Sequence, residues 1–264
     1  MNEFVTALDI KRSLANTPQV TFEITDACNM KCRYCAYGEM YDNYDKRSNS
    51  LMKSTTVIHF LEYLSKLWKS PLSFSSNGNI YFSFYGGEPL LNFGLIEDVV
   101  SYTLNNDLGR KPTFTMTTNG LLLNQHIDYL VEHDFKILVS LDGNEFNNSY
   151  RVYSHGHPVF KKLICILDNI NIQHPSFFRN NIQFNSVLHN RNSVQDIVSF
   201  IGEKYNKVPS IGELSSNGVR IDKLDMFQKM FKDSIKSAQD SRNENELNEI
   251  LGQKELVTIM LSSS

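Results

Sequence analysis

Three of the four cysteines stand close together in the chain. Cys28, Cys32 and Cys35 fall in the stretch Asp-Ala-Cys-Asn-Met-Lys-Cys-Arg-Tyr-Cys at residues 26–35. Thiolates are ligands for soft transition metals and for iron-sulfur clusters. Three thiolates on one short loop can bind three irons of a [4Fe-4S] cube and leave the fourth iron open for a substrate or cofactor. The spacing therefore predicts a metal or redox site at this loop.

A zinc ion is the alternative occupant of the triplet. A structural zinc site needs four protein ligands and usually pairs two close cysteines with a second pair or with histidines. The remaining cysteine, Cys165, falls in an apolar helical stripe and is expected to be a small buried core side chain. His59 lies in the middle of a predicted helix and is expected to be a surface or packing residue. The spacing favours a cluster, and zinc remains the alternative.

The elements that must position this loop alternate between strands and helices. Apolar residues with a period of two predict strands, and apolar residues at helical spacing predict helices. The predicted strands are 19–25, 79–85, 113–118, 136–141, 181–188 and 210–214; the predicted helices are 55–69 with Ser54 as its N-cap, one that carries Ile96, Val99, Val100 and Leu104 on one face, 124–133, 158–170, 194–205 and 221–237. Six strand-then-helix units predict an α/β fold with a parallel sheet, which we interpret as a partial (β/α)6 TIM-like barrel.

Length and composition narrow the class of protein. The chain has 264 residues, 41% of them hydrophobic, and a formal net charge of -3. This is enough for one large core, and no general basic field attracts nucleic acid or anionic lipid. We see no signal peptide and no membrane-spanning stretch, so we expect reduced thiols and a cytoplasmic location. We divide the chain into an N-terminal lead-in (1–18), a core barrel (19–238) and a polar tail (239–264), which we interpret as the start of a missing C-terminal extension.

Motifs also follow the next three predicted strands. Gly86-Gly87-Glu88-Pro89 follows the second strand, where glycines allow a close backbone approach to a ligand, although an ordinary tight turn is the alternative. Thr117-Thr118-Asn119-Gly120 follows the third strand. Ser140-Leu141-Asp142-Gly143 closes the fourth, and an aspartate just beyond a strand end suits ribose hydroxyls. Arg151 is suited either to a bidentate contact with a carboxylate or to a solvated surface position.

The spacing CxxxCxxC with an aromatic residue before the last cysteine resembles the signature of radical S-adenosylmethionine (SAM) enzymes. The resemblance implies that Cys28, Cys32 and Cys35 are catalytic ligands of a [4Fe-4S] cluster, which cleaves SAM reductively to a 5′-deoxyadenosyl radical. It also implies SAM contacts for ten other residues: Tyr34 beside the adenine, Gly86, Gly87 and Glu88 at the methionine ammonium, Asn119 against the pocket, Ser140 and Asp142 near the ribose and methionine groups, Arg151 at the carboxylate, and Asn185 and Val187 along the adenine and ribose side.

The three later motifs together resemble the branch of this family that modifies peptides and proteins, including sulfatase-maturing enzymes and maturases of ribosomally made peptides. The resemblance covers about residues 19–235 and implies a peptide or protein substrate, a flavodoxin or ferredoxin-type reductant and an oxygen-poor cytoplasm. Members of this branch usually continue into a cysteine-rich SPASM or Twitch extension that binds auxiliary clusters, and the sequence has no cysteine after Cys165. The alternative from another class is a non-catalytic iron-sulfur scaffold or a precursor-peptide-binding module.

Overall fold

The computed structural model describes residues 5–42, 46–74 and 78–240. Its centre is a sheet of six parallel strands whose spatial order equals their chain order. The strands are β1 (Gln19–Thr25), β2 (Asn79–Gly86), β3 (Lys111–Thr118), β4 (Lys136–Ser140), β5 (Ile182–Leu188) and β6 (Ser210–Glu213). The α/β fold and the six predicted strand-then-helix units are confirmed. Within the described residues β1 and β6 do not pair, so the sheet is an open one.

Nine α-helices fall within the described residues. They are α1 (Ala7–Asn16), α2 (Ser54–Trp68), α3 (Phe93–Asn105), α4 (Leu123–Glu132), α5 (Phe160–Gln173), α6 (Pro175–Asn181), α7 (Val194–Tyr205), α8 (Leu224–Met230) and α9 (Ser234–Gln239). Short 3-10 turns occupy Pro89–Asn92, Asn147–Tyr150 and Ile221–Lys223. None of the described helices is long and apolar enough to span a membrane.

The two faces of the sheet differ in polarity, as the period-two pattern requires. One face carries a buried aromatic layer in which Phe82 lies between Phe22 and Phe114, with ring centroids 6.1 and 6.4 Å away. The other face carries hydroxyl and amide side chains such as Ser83 and Thr115, and a cavity of about 400 Å³ opens along it. Helices cover the first face, so the polar second face is left to line a cavity.

Two sequence expectations about α-helical residues are wrong. Ser54 is the first residue of α2 and not its N-cap, a position that Lys53 occupies without a side-chain hydrogen bond, while the Ser54 hydroxyl donates to Asp98. Cys165 is exposed, because α5 buries Leu163, Ile166, Leu167 and Ile170, and a residue two places from Leu163 lies about 200° around the helix. Leu104, on the same face of α3 as Ile96, Val99 and Val100, is exposed because it lies at the end of the helix.

The chain ends differ most from the prediction. The expected helix over 221–237 is broken, because the Met230 carbonyl accepts from the Asn190 amide and Phe231 takes an extended backbone conformation. The lead-in contains α1, which begins with a capping box between Thr6 and Asp9. Residues 241–264, most of the predicted polar tail, lie outside the described residues.

Candidate functional site

The loop after β1 carries the cysteine triplet at the carboxyl edge of the sheet. All three cysteine residues are half-buried. Burial raises the pKa of Cys28, and it raises the pKa of Cys32 to about 12, with smaller contributions from the neighbouring cysteines. Thiolates at these positions are disfavoured unless a cation compensates them, and a coordinating metal does so by removing the thiol proton. The donor set therefore fits a positively charged metal group.

The described residues offer no prepared site for a single zinc ion. In the part of the chain that the structure describes, no three His, Cys, Asp or Glu side chains form a group that could hold one metal ion. A single zinc ion needs such a group because its thiolate ligands lie about 2.3 Å away, whereas a [4Fe-4S] cube gives each cysteine its own iron. His59 and Cys165, the two considered as further ligands, are exposed on α2 and α5. Three thiols without a fourth protein ligand suit a cube that has one open iron.

The glycine turn after β2 lies directly against the cysteine loop. A Cβ atom on Gly86, whose φ is +146°, would lie 2.1 Å from the Thr25 carbonyl oxygen. A Cβ on Gly87 would lie 2.2 Å from the carbonyl oxygen of Ala27. The Gly87 amide donates to Thr25 O and the Glu88 amide to Ala27 O, both at 2.8 Å. The glycines thus allow two chain segments to pack backbone to backbone, which is more than an ordinary tight turn requires.

Glu88 ties this turn to the loop after β3. The side chain is fully buried. Its Oε1 accepts from the Thr118 hydroxyl at 2.7 Å and from the Leu90 amide, and its Oε2 accepts from the Asn119 amide at 2.8 Å. Burial raises the pKa of Glu88 to about 7, although these hydrogen bonds oppose the rise. Both carboxylate oxygens have partners within the chain, but Oε2 accepts from one donor only and keeps a lone pair for a further one, so the contact with an ammonium stays a prediction.

Asn119 connects the loop after β3 to the cysteine loop. Its side-chain amide nitrogen, Nδ2, donates to Asn29 Oδ1 at 2.7 Å and lies 3.8 Å from Cys28 Sγ. Its own side-chain oxygen accepts from the Leu121 amide at 3.0 Å. The structure thus brings the motifs after β1, β2 and β3 together, as the sequence predicts.

Asp142 and Arg151 form a buried ion pair on the other side of the cysteine loop. The guanidinium Nε and NH2 each donate to one oxygen of Asp142, both at 2.9 Å. The Tyr34 hydroxyl and the Val187 amide donate to the same carboxylate. Burial is the largest single influence and would raise the pKa of Asp142, but the charge and hydrogen bonds of Arg151 and His189 together outweigh it and lower this pKa to about 2. Arg151 is 6% exposed, so a solvated surface position for it is wrong.

These contacts bear on the predicted SAM roles of this group. The guanidinium of Arg151 binds a carboxylate of its own chain, and both Asp142 oxygens are occupied by protein donors. Each Asp142 oxygen thus has two donors, whereas Arg151 keeps N–H groups beyond the two that Asp142 accepts, and the SAM contacts of both residues stay predictions. Ser140 and Asn185, by contrast, are paired across β4 and β5 and half-buried on the polar face of the sheet. Val187 lies two residues further along β5, half-buried beside the apolar cluster that contains Tyr34.

His189 belongs to this site, and the sequence analysis missed it. Its buried ring lies 5.6 Å from the Tyr34 ring and 4.9 Å from the Tyr150 ring. Its Nδ1 accepts from the Arg191 backbone amide at 3.1 Å, and its Nε2 lies 3.8 Å from the Asp142 carboxylate and 3.4 Å from Asn192 Nδ2. The sequence could have indicated His189, because it directly follows the predicted fifth strand and so lies at the same edge of the sheet as the other motifs.

The chain matches the protein family described as the Radical SAM superfamily over residues 22–171, more than half of its length. It is 30% identical to a radical SAM cyclopropyl synthase of Paramaledivibacter caminithermalis over 224 residues, which cover 80% of this chain and 42% of the relative. It is 29% identical to a cysteine-type anaerobic sulfatase-maturating enzyme of Clostridium perfringens over 143 residues, which cover 53% of this chain and 36% of the relative. The chain thus spans about two fifths of the length of these curated relatives.

A solved structure shows the same fold. Native anSMEcpe with bound AdoMet superposes with a TM-score of 0.62 at 20% identity, covering 76% of this chain and 56% of that one. Fold, motif order and family match agree with one another. The chain belongs to the radical SAM superfamily, a family of enzymes whose cofactors are a [4Fe-4S] cluster and SAM.

Proposed function

We propose that this chain is a catalytic core that cleaves SAM reductively, with Cys28, Cys32 and Cys35 each binding one iron of a [4Fe-4S] cluster. The observation that carries the proposal is the convergence of three strand-end motifs on the cysteine loop, through the Gly87 backbone and the Asn119 amide. When bound, the cluster and SAM supply a 5′-deoxyadenosyl radical that removes a hydrogen atom from a substrate. The fourth iron, which no cysteine of the loop binds, is the position for SAM.

The chain's own residues then have to hold SAM and exclude water. Ser140, Asn185 and Val187 line the carboxyl half of the polar face beside the loop, where they suit the adenosine part of SAM. The backbone of Gly86 and Gly87 lies against the cysteine loop, where SAM's methionine part would reach the open iron. Enclosing the reacting atoms protects a radical from side reactions.

A peptide or protein is the substrate class that we propose. The support is the sulfatase-maturating and cyclopropyl synthase relatives, together with a similar solved chain whose structure contains a peptide. The polar face of the sheet offers hydroxyl and amide groups such as Ser83, Thr115 and Gln183 along an open cavity, and these groups suit an extended backbone. A flavodoxin or ferredoxin-type reductant and a cytoplasmic, oxygen-poor setting belong to the same proposal.

The test is anaerobic reconstitution with iron and sulfide, followed by dithionite and SAM, with 5′-deoxyadenosine quantified. The variant with Cys28, Cys32 and Cys35 all changed to Ala is compared with Cys165→Ala, which removes an exposed thiol far along the chain. We expect 5′-deoxyadenosine from the wild type and from Cys165→Ala and none from the triple variant. Iron binding without 5′-deoxyadenosine would favour the scaffold alternative, and a chain that binds no iron would refute the proposal.

A further inference from the structure

We propose that Asp142 and Arg151 form a positioning clamp for the cysteine loop, which fixes Tyr34 and through it the two thiols on either side. This proposal rests on the function proposed above, because it concerns how the loop is held for its cluster. Asp142, Arg151 and Tyr34 are called the clamp below. They are positioning residues, whose polar atoms contact one another in this structure.

The backbone around Arg151 runs along the cysteine loop. The Lys31 amide donates to Val152 O at 2.8 Å, and the Arg33 amide donates to Tyr150 O at 3.1 Å. Met30 and Tyr153 form an antiparallel bridge at the end of this pairing. Arg151 therefore lies in the segment that pairs with the cysteine loop, between the Tyr150 and Val152 carbonyls, which accept from amides of that loop.

Side chains also connect the Arg151 segment to the cysteine loop. The guanidinium carbon of Arg151 lies 5.4 Å from the centroid of the Tyr34 ring. The guanidinium Nε and the Tyr34 hydroxyl both donate to the Asp142 carboxylate. Tyr34 stands between Cys32 and Cys35 in the sequence, and its side chain is 9% exposed. A ring held at both its face and its hydroxyl cannot turn, so the backbone between the two cysteines cannot turn freely either.

The clamp is anchored to strands that are distant from β1 in the sheet. Asp142 follows β4, its Oδ1 accepts from the Val187 amide of β5, and its own amide donates to Asn148 Oδ1 at 3.1 Å. Two strands, β2 and β3, separate β1 from β4 in the sheet. The glycine turn after β2 holds the start of the cysteine loop, and the clamp connects Tyr34, further along the loop, to the ends of β4 and β5.

The choice of variants follows from the buried charges. Removing one partner leaves the other as an unpaired buried charge and destabilises the fold. Neutralising both partners avoids that cost. Tyr34→Phe deletes one hydroxyl group only, and the double variant Asp142→Asn/Arg151→Gln removes both charges together. Arg220→Gln, which breaks an exposed pair with Asp222, is the matched control.

The first measurement uses the protein without cluster, so it does not depend on SAM cleavage. Each folded variant is treated with a thiol-alkylating reagent, and labelling of Cys32 and Cys35 is followed by peptide mass spectrometry with exposed Cys165 as the internal standard. We expect the labelling rate of Cys32 to rise at least tenfold above wild type in Tyr34→Phe and in the double variant, and to equal the wild-type rate in Arg220→Gln. Arg151→Lys, which keeps the charge but not the two-point contact, should fall between these values.

The second measurement is iron and sulfide per chain after reconstitution, with the electron paramagnetic resonance spectrum of the reduced cluster. We expect lower loading and a broadened spectrum in the clamp variants. If Tyr34→Phe and the double variant fold, label at the wild-type rate and load a cluster with the wild-type spectrum, the clamp proposal is wrong. If the wild type makes no 5′-deoxyadenosine while the labelling differences persist, the proposed function fails and the clamp stands.

Discussion

Replacing Gly87 by Ala tests how the cysteine loop is held at its start. The added Cβ would lie 2.2 Å from Ala27 O and 2.6 Å from Asp26 O. Both oxygens belong to the backbone, so no flexible side chain can move aside and the turn itself must withdraw. Withdrawal breaks the Gly87–Thr25 and Glu88–Ala27 hydrogen bonds, each 2.8 Å long. At about 1–3 kcal/mol for each of the two hydrogen bonds lost, we expect a loss of about 2–6 kcal/mol.

Urea unfolding of the apo protein, followed by circular dichroism, measures this loss. Gly202→Ala is the matched control, because Gly202 lies in α7 with nothing within 4 Å of its added Cβ. That substitution should stabilise the chain by about 0.5–1 kcal/mol through helix propensity. A Gly87→Ala variant within about 0.5 kcal/mol of wild type would contradict the close approach, since a surface substitution changes stability by no more than that.

Three further predictions concern Glu88, Arg110 and Cys165. Because burial raises the pKa of Glu88 from 4.5 to about 7, the folded chain binds this proton more tightly than the unfolded chain. This contribution to stability is full below about pH 4.5 and is lost as the pH rises through 7, a total of about 3 kcal/mol at 1.36 kcal/mol per pKa unit. The free energy of urea unfolding, measured from pH 4 to 8, should therefore fall with pH, and Glu88→Gln should flatten this slope. An equal slope in the variant would contradict the raised pKa. The Arg110 guanidinium donates to Ala15 O at 2.7 Å and to Thr17 O at 3.0 Å, so Arg110→Met should cost about 2–4 kcal/mol in urea unfolding, whereas exposed Arg12→Met should cost under about 0.5. Cys165 should be alkylated equally in apo and loaded protein while the triplet is protected only when loaded, and Cys165→Ser should leave iron per chain unchanged; protection of Cys165 on loading would refute its exposed placement.

The sheet could be predicted from the sequence because its signal is local. β1 has the predicted bounds, and β3 begins two residues before the predicted start. Strands with one face buried show a period of two that any short window reveals. The broken helix near residue 231 could not be predicted in this way, because the break depends on the Met230 carbonyl accepting from Asn190, far away in the sequence. The capping box of α1 was a local signal that the sequence analysis overlooked.

The site could be located from the sequence, but the partners of its side chains could not. Motif spacing places the cysteines, the glycine turn and Asn119 at one edge of the sheet, since the ends of parallel strands meet there. Glu88 binds a loop 30 residues away, and Arg151 reaches Asp142 only because the 3-10 turn Asn147–Tyr150 reverses the chain between them. The sequence motif contains the donors and acceptors, whereas packing across the strand ends decides which of them meet.

The two buried carboxylates on either side of the cysteine loop solve one electrostatic problem in different ways. Negative charge near three thiolates makes the reduction of a bound cluster harder, because cluster potentials depend on net charge. Glu88, which raises the pKa of Cys28, is itself pushed by burial toward its neutral form, with a pKa of about 7. Asp142 stays charged, but Arg151 offsets its charge at 2.9 Å. For the proposed cluster, the chain thus obtains two strong hydrogen-bond acceptors that fix the loop while adding little net negative charge beside the thiolates.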